Sequence, residues 1–291
     1  MPGSSPAHTA TAVAGPVAPT AQASITLRPL AMDAVDLDGG FWSERQRVNR
    51  EVSVPLALAR LKEAGNLENL HLAAERRSGQ YRGPVFMDSD VYKVLEAIAW
   101  EQGRKPSAAL ASAAAAISAA IRDAQSDDGY LNSYVQVTRG GGDRYSDLAM
   151  GHELYCYGHL IQAAVAAHRV APQEDLWLAT LRVADHISAT FGPGAPLSGA
   201  VGGHPLVEMA LVELYRETAD TTYRDLAAHL VKARGRGTLS RHDRDPMYFS
   251  DRVPARDATT VEGHAVRALY FAAGVADVVA EAGDDADGAL A

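Results

Sequence analysis

Apolar residues recur at helical spacing over most of this chain, and stretches of strict alternation are scarce. The pattern predicts a first helix over residues 45–64, with Pro55 as a break, and a second over 89–102, where Asp88 and Ser89 offer side-chain acceptors at the start. An alanine-rich helix over 107–125 follows, then helices over 152–168, 174–191, 205–217, 222–234 and 261–282. Pro205 suits a first helical turn, and Gly103, Gly192 and Gly283 stand where helices are expected to have ended. Strand signals are confined to residues 25–27 and 134–137. Between the helices lie turn sequences such as Asp127-Asp128-Gly129 and Gly140-Gly141-Gly142.

The helices are punctuated by a recurring pair. Gly151-His152, Gly203-His204 and Gly263-His264 each stand at or near a helix start, 52 and 60 residues apart, and Asp90 precedes His152 by 62 residues. Each interval holds two helices and their loops. That is longer than the roughly 34-residue period of a tetratricopeptide array or the roughly 33 of ankyrin. It fits an α/α barrel, in which inner and outer helices alternate and loops at one end carry the site. About four hairpins fit in this length, so the expected architecture is all-α, an incomplete barrel.

Composition narrows the function classes. The 291 residues are 47% hydrophobic, enough to bury a sizeable core, and carry a net charge of −9 with no basic stripe to follow a phosphate backbone. Nucleic acid is not an expected partner. No apolar run reaches the roughly 20 residues that span a bilayer. The single cysteine, Cys156, excludes a disulfide within the chain and any multi-cysteine metal site made by these residues alone. Residues 1–24 are rich in Ala, Pro, Thr and Ser and lack the basic and apolar regions of a secretory signal. They are expected to be a disordered tail, with residues 25–291 forming the domain and the cytoplasm as its address.

Five segments carry candidate chemistry. In Asp88-Ser89-Asp90-Val91-Tyr92-Lys93 the carboxylates either cap a helix or accept hydrogen bonds from sugar hydroxyls; Asp88 is read as the cap and Asp90 as a site residue. Residues 125–132 make a tight turn, with Gly129 at positive φ and an Asp side chain bonding following amides. In the segment 151–159, His152, Tyr155, Cys156 and His159 share one helix face. His152 is read as a substrate contact, His159 as a core residue and Cys156 as a buried small hydrophobe. His204 and His264 take the same role as His152. Glu208 and Glu213 face the cavity or solvent, and Arg267 is expected to serve as an ion-pair partner.

Together, Phe41-Trp42 with Arg45, the Asp88–Lys93 run, Gln-x-x-Asp-Gly-Tyr-Leu, His-Glu-Leu-Tyr-Cys, Gly-His-Pro with Leu-Val-Glu-Leu-Tyr downstream, and Gly-His-Ala-Val-Arg occur here in order. Over about residues 38–284 they resemble the catalytic domain of glycoside hydrolase family 127, the β-L-arabinofuranosidase family. The resemblance implies an (α/α)6 barrel and an exo-acting hydrolase that releases terminal β-L-arabinofuranose with retention. It implies a zinc-bound cysteine as nucleophile and a glutamate as acid/base in the full-length enzyme, and sugar-binding roles for His152, His204 and His264. The family places its catalytic glutamate, its zinc-binding glutamate and its cysteines after the Gly-His-Ala-Val-Arg helix, and Cys156 belongs to a different motif. No catalytic or metal-ligating residue is therefore assigned within this chain, no cofactor is expected from its own residues, and the chain alone is expected to be inactive. Where the family has a Trp and an acid, this chain has Val94 and Leu206.

Two other readings stay open. One is a sugar-binding or scaffold protein without catalysis. The other is a different α/α-barrel sugar enzyme, an epimerase or unsaturated glucuronyl hydrolase, for which Asp90 and Glu208 are the only acid/base candidates. An incomplete ring also predicts exposed apolar surface on the last helix and a tendency to self-associate.

Overall fold

The computed structural model describes residues 14–75, 80–241 and 244–285, with 288 and 290. Among these residues the chain is helical with no strand; the nearest approach is one isolated bridge between Arg241 and Arg244. The first expected helix is two. Helix α1 (Gly40–Val48) passes through a π-helical turn at Asn49–Ser53 into α2 (Val54–Ala64), so Pro55 falls in the first turn of α2, where its missing N–H is tolerated. A short α3 (Asn66–Ala74) follows. Then come α4 (Met87–Arg104), α5 (Ala108–Ala124), α6 (Ser133–Arg139), α7 (Glu153–Val170), α8 (Glu174–Phe191), α9 (Val207–Thr218), α10 (Thr221–Ala233) and α11 (Ala265–Ala282).

Several local expectations change. Residues 134–137 lie in α6, because the Asn132 side chain accepts from the Val135 amide and Gly140 in the left-handed region closes the turn. Residues 25–27 form no strand. Gly103 sits inside α4; a Cβ there would meet Val170 at 2.7 Å, so glycine lets the ends of α4 and α7 close up. Pro205 precedes α9 instead of starting it. Asp88 does not cap its own helix: its buried carboxylate accepts from the amide of Ser133 at 2.8 Å and from its hydroxyl, satisfying the start of α6.

The layers follow from which helices bury both sides. Thirteen of the eighteen residues of α7 are buried, which makes it the centre of the core. It packs against α4 on one side and α9 on the other, and α9 packs against α11. Outside this inner row lie α5, α8 and α10, each paired with the inner helix before it. The alternation is that of an (α/α)6 barrel, and it brings the starts of the inner helices to one end. Of the expected tail, residues 1–13 lie outside the described residues, while Ala23 is buried and Thr20 bonds to Glu281. The last helix does expose apolar side chains, Val266 and Leu269 among them, beside a groove of about 390 Å³ shared with residues 250–262. No helix among the described residues is long and apolar enough to cross a membrane.

Candidate functional site

The glycines of the repeated pairs explain how the histidines are aimed. A Cβ on Gly203 would lie 2.0 Å from the Ala149 carbonyl oxygen, and its amide donates to the Leu148 carbonyl at 2.7 Å. At Gly263, φ is +79° and a Cβ would lie 2.1 Å from the Met247 carbonyl oxygen. Only glycine permits these approaches, and each presses the start of an inner helix onto a neighbouring loop. His152 itself holds a left-handed conformation, φ 61°, as the N-cap of α7. The result is one cluster: the His152 and His204 rings are 5.8 Å apart and the His204 and His264 rings 6.5 Å apart.

Aromatic side chains fill the gaps. Phe86 lies 5.1 Å from His152, Tyr155 4.3 Å from His204, Tyr270 5.8 Å from His204 and Tyr248 5.2 Å from His264. Asp90 joins this set through Lys93, whose ammonium is 3.2 Å from the Asp90 carboxylate and 5.3 Å above the Tyr155 ring. Tyr155 had a signal in the sequence, as the residue one turn after His152 on the same face. Lys93 lay in a marked run without an assigned role, and Phe86, Tyr248 and Tyr270 had no comparable signal.

Two of the histidines are fixed in one tautomer. His204 Nδ1 faces the Pro205 carbonyl at 2.9 Å, and His152 Nδ1 faces the Met150 carbonyl. A carbonyl only accepts, so each Nδ1 carries the hydrogen and each Nε2 keeps its lone pair. Burial also keeps both rings neutral. It lowers the pKa of His204 to about 3, with the Arg267 charge adding to the effect, and lowers that of His152 against the pull of the Met150 carbonyl. The site thus presents hydrogen-bond acceptors that stay uncharged at neutral pH. His159 sits deeper, 4.7 Å from Tyr155, with its pKa lowered by burial to about 3. It is buried as expected of a core residue, yet its Nε2 has no hydrogen-bond partner among the described residues.

Other candidates have different duties. Glu208 is buried, accepting from the Leu206 amide at 2.9 Å and pairing with Arg234 at 3.2 Å. It is not free for acid/base work with Asp90. Glu213 faces neither cavity nor solvent, because it is buried between Arg169 and Arg216. Arg267 is not engaged in an ion pair among the described residues: it is buried against the Tyr248 ring at 4.4 Å, with Nε and Nη1 lacking hydrogen-bond partners. Cys156 is fully buried, and burial, then the Asp88 charge, push its thiol pKa well up, the opposite of what a nucleophile or a metal ligand needs. No group of three or more His, Cys, Asp or Glu side chains among the described residues gathers closely enough to hold a metal ion.

Comparison with known proteins agrees with the fold and the motifs. A family profile for the β-L-arabinofuranosidase GH127 catalytic domain matches residues 34–291. A non-reducing end β-L-arabinofuranosidase of Bifidobacterium longum subsp. longum is 36% identical over 235 residues, covering 74% of this chain and 36% of that protein. A GH127 β-L-arabinofuranosidase from Geobacillus stearothermophilus T6 superposes with a TM-score of 0.82 at 31% identity, over 88% of this chain and 44% of that one. A further GH127 β-arabinofuranosidase superposes with a TM-score of 0.80 at 30% identity, over 88% of this chain and 41% of that one. The chain therefore spans between about a third and somewhat under half the length of these relatives. With the profile reaching from the first helices to the last, the chain belongs to glycoside hydrolase family 127.

Proposed function

We propose that this chain forms the sugar-binding wall of a glycoside hydrolase that removes terminal β-L-arabinofuranosides with retention, and that His152, His204, His264 and Asp90 contact the sugar. The observation that carries the reading is the pair of fixed tautomers. In both rings a backbone carbonyl engages Nδ1, which leaves Nε2 of His152 and His204 as the acceptor. Their complement is a ligand dense in O–H donors. His264, whose Nδ1 has no partner among the described residues, and the exposed part of Asp90 add polar positions beside them. Tyr155, Tyr270 and Phe86 supply apolar faces for the C–H side of a ring.

Binding is assigned to this chain and bond cleavage is not. Glu208 is tied to Arg234 and Cys156 is buried, so neither supplies the acid/base or the nucleophile. Zinc, which the family resemblance implies for the full-length enzyme, is on this reading held by residues other than those assigned to the sugar. Purified protein given zinc and a chromogenic β-L-arabinofuranoside should show no turnover; clear turnover would overturn the division of labour. Titration with L-arabinose should give saturable shifts at His152, His204 and His264, and silence at all three would overturn the sugar-site reading. Binding without turnover is also what a non-catalytic sugar-binding protein would show. Activity appearing on reconstitution with the remaining part of a family 127 enzyme separates the two.

Two further proposals concern assembly and location. The apolar side chains exposed on α11 support self-association, which sedimentation checks; a stable monomer at high concentration would remove it. The cytoplasm is the proposed location, and fractionation of producing cells tests it.

A further inference from the structure

Directly after His152 stands a buried carboxylate that no role above uses. Glu153 Oε1 accepts the Tyr130 hydroxyl at 2.6 Å, and its two oxygens accept the Tyr145 amide at 3.0 and 3.1 Å. Tyr145 begins the loop that runs back to His152. Tyr145 has a positive φ of 58°, as does Asp143 just before it at 54°, a region that a bulky side chain such as tyrosine rarely occupies. Around Tyr145 the anchoring continues: its hydroxyl lies 3.1 Å from that of Tyr157 and 2.9 Å from His186 Nε2, while His186 Nδ1 faces the Asp128 carbonyl at 2.9 Å.

From that anchor two threads lead to the site. The Asp147 carbonyl accepts from the Gly151 amide at 2.7 Å, the Asp147 carboxylate accepts from the Met150 amide at 3.1 Å, and the Met150 carbonyl takes the Nδ1 hydrogen of His152. The Leu148 carbonyl accepts from the Gly203 amide at 2.7 Å, next to His204. One loop therefore sets the tautomer of His152 and seats the residue that aims His204.

We propose that Glu153 is a positioning residue for the sugar site: by gathering the Tyr130 hydroxyl and the Tyr145 amide it fixes the 145–152 loop, and so the orientation of both His152 and His204. The proposal rests on the sugar-site reading for its consequence, but its geometry stands without it. Glu153 touches no ligand in this scheme. It acts through the loop, and the loop acts through two carbonyls: that of Met150 sets the tautomer of His152, and that of Leu148 seats Gly203 beside His204.

Glu153→Gln keeps the size and removes the charge that strengthens both contacts. Histidine side-chain resonances of the ligand-free protein are the primary readout, since a carboxylate that only stabilised the fold would leave them in place. In E153Q the His152 and His204 signals should move or broaden while those of His168, at the far end of α7, and His229, on the outer helix α10, stay put. Affinity for L-arabinose should fall about tenfold or more. Unchanged His152 and His204 signals in a folded E153Q overturn the proposal. Should E153Q fail to fold, Tyr130→Phe carries the test: it deletes one of the gathered donors, and displaced His152 signals support the proposal while unmoved ones overturn it. A wild-type protein that ignores L-arabinose defeats the sugar reading instead, and the ligand-free signals still decide the role of Glu153.

Discussion

The two ends of the inner helices bury polar groups in opposite ways. At the C-terminal end, Arg169 of α7 pairs with Glu213 and Glu217 at 2.8 Å each, and Arg216 of α9 reaches Glu213, Asp277 at 2.8 Å and Glu281 at 2.6 Å. Residues 15 and 20 close over this network, giving Arg169 a carbonyl and Glu281 two donors. Cations there also oppose the negative ends of α7 and α9. At the N-terminal end, Arg267, His264 and His159 keep buried nitrogens without partners among the described residues. A buried polar atom left unpaired costs about 1–3 kcal/mol, so an end that carries several is poorly explained as scaffolding. The contrast teaches where to look for a ligand: in a fold able to complete a buried charge network at one end, open valences at the other mark the surface that something else completes.

The largest effect should come from breaking the closed end. Glu213→Ala leaves two buried arginines sharing fewer carboxylates. Loss of one partner from a buried pair costs about 3–5 kcal/mol, and urea unfolding should show a decrease of that order. A loss below about 1 kcal/mol would mean that the network is wetter than its burial suggests. At the open end the ranking reverses. His204→Ala should remove L-arabinose binding while lowering stability by less than Glu213→Ala; a variant that binds normally would break the comparison.

The fold was largely legible because its helices obey one period, and eight of the expected segments lie over observed helices. What failed, failed locally. The β-branched 134–137 segment reads as strand until the Asn132 cap is seen to start a helix and Gly140 to end it. Helix α3 has too short a pattern to stand out, and cross-chain bonds hold it, such as those between Asn69 and the backbone of Arg82. At the site, the histidines were legible through repetition of the glycine pair. Tyr248 and Tyr270 were not, since they meet His264 and His204 only once the inner helices lie side by side. The role of Glu213 was only half legible: Arg216 is its neighbour one turn along α9, but Arg169 lies on α7 and only packing brings it there.

A pH titration of stability sharpens the contrast at intermediate cost. Burial holds His159 and His204 near a pKa of about 3 in the folded protein, below the unfolded value of 6.5. Between those values the unfolded chain binds more protons, so these groups lose stabilising effect as pH falls from 6.5 toward 3. Burial pushes the pKa of Asp88, Glu153 and Asp277 up, and their contribution runs the other way, lost as pH rises through their folded values. The informative quantity is therefore the difference between wild type and His159→Gln. Wild type should lose more stability than H159Q between pH 6.5 and pH 4.5, and parallel curves would show that His159 is not held neutral.

The smallest effect should come from a charge pair that resembles the closed network only on paper. Arg252 and Glu262 pair next to Gly263-His264, with Arg252 more than half exposed. The pair shifts Arg252 up and Glu262 down through their mutual hydrogen bond, yet water competes for both groups and salt screens them. The position of His264 is set instead by the fit of Gly263 against the Met247 carbonyl and by the Tyr248 ring. Arg252→Ala should therefore leave both unfolding and the His264 resonance within error of wild type. A displaced His264 signal would mean that an exposed pair helps to hold the open end, and would narrow the distinction between the two ends to burial alone.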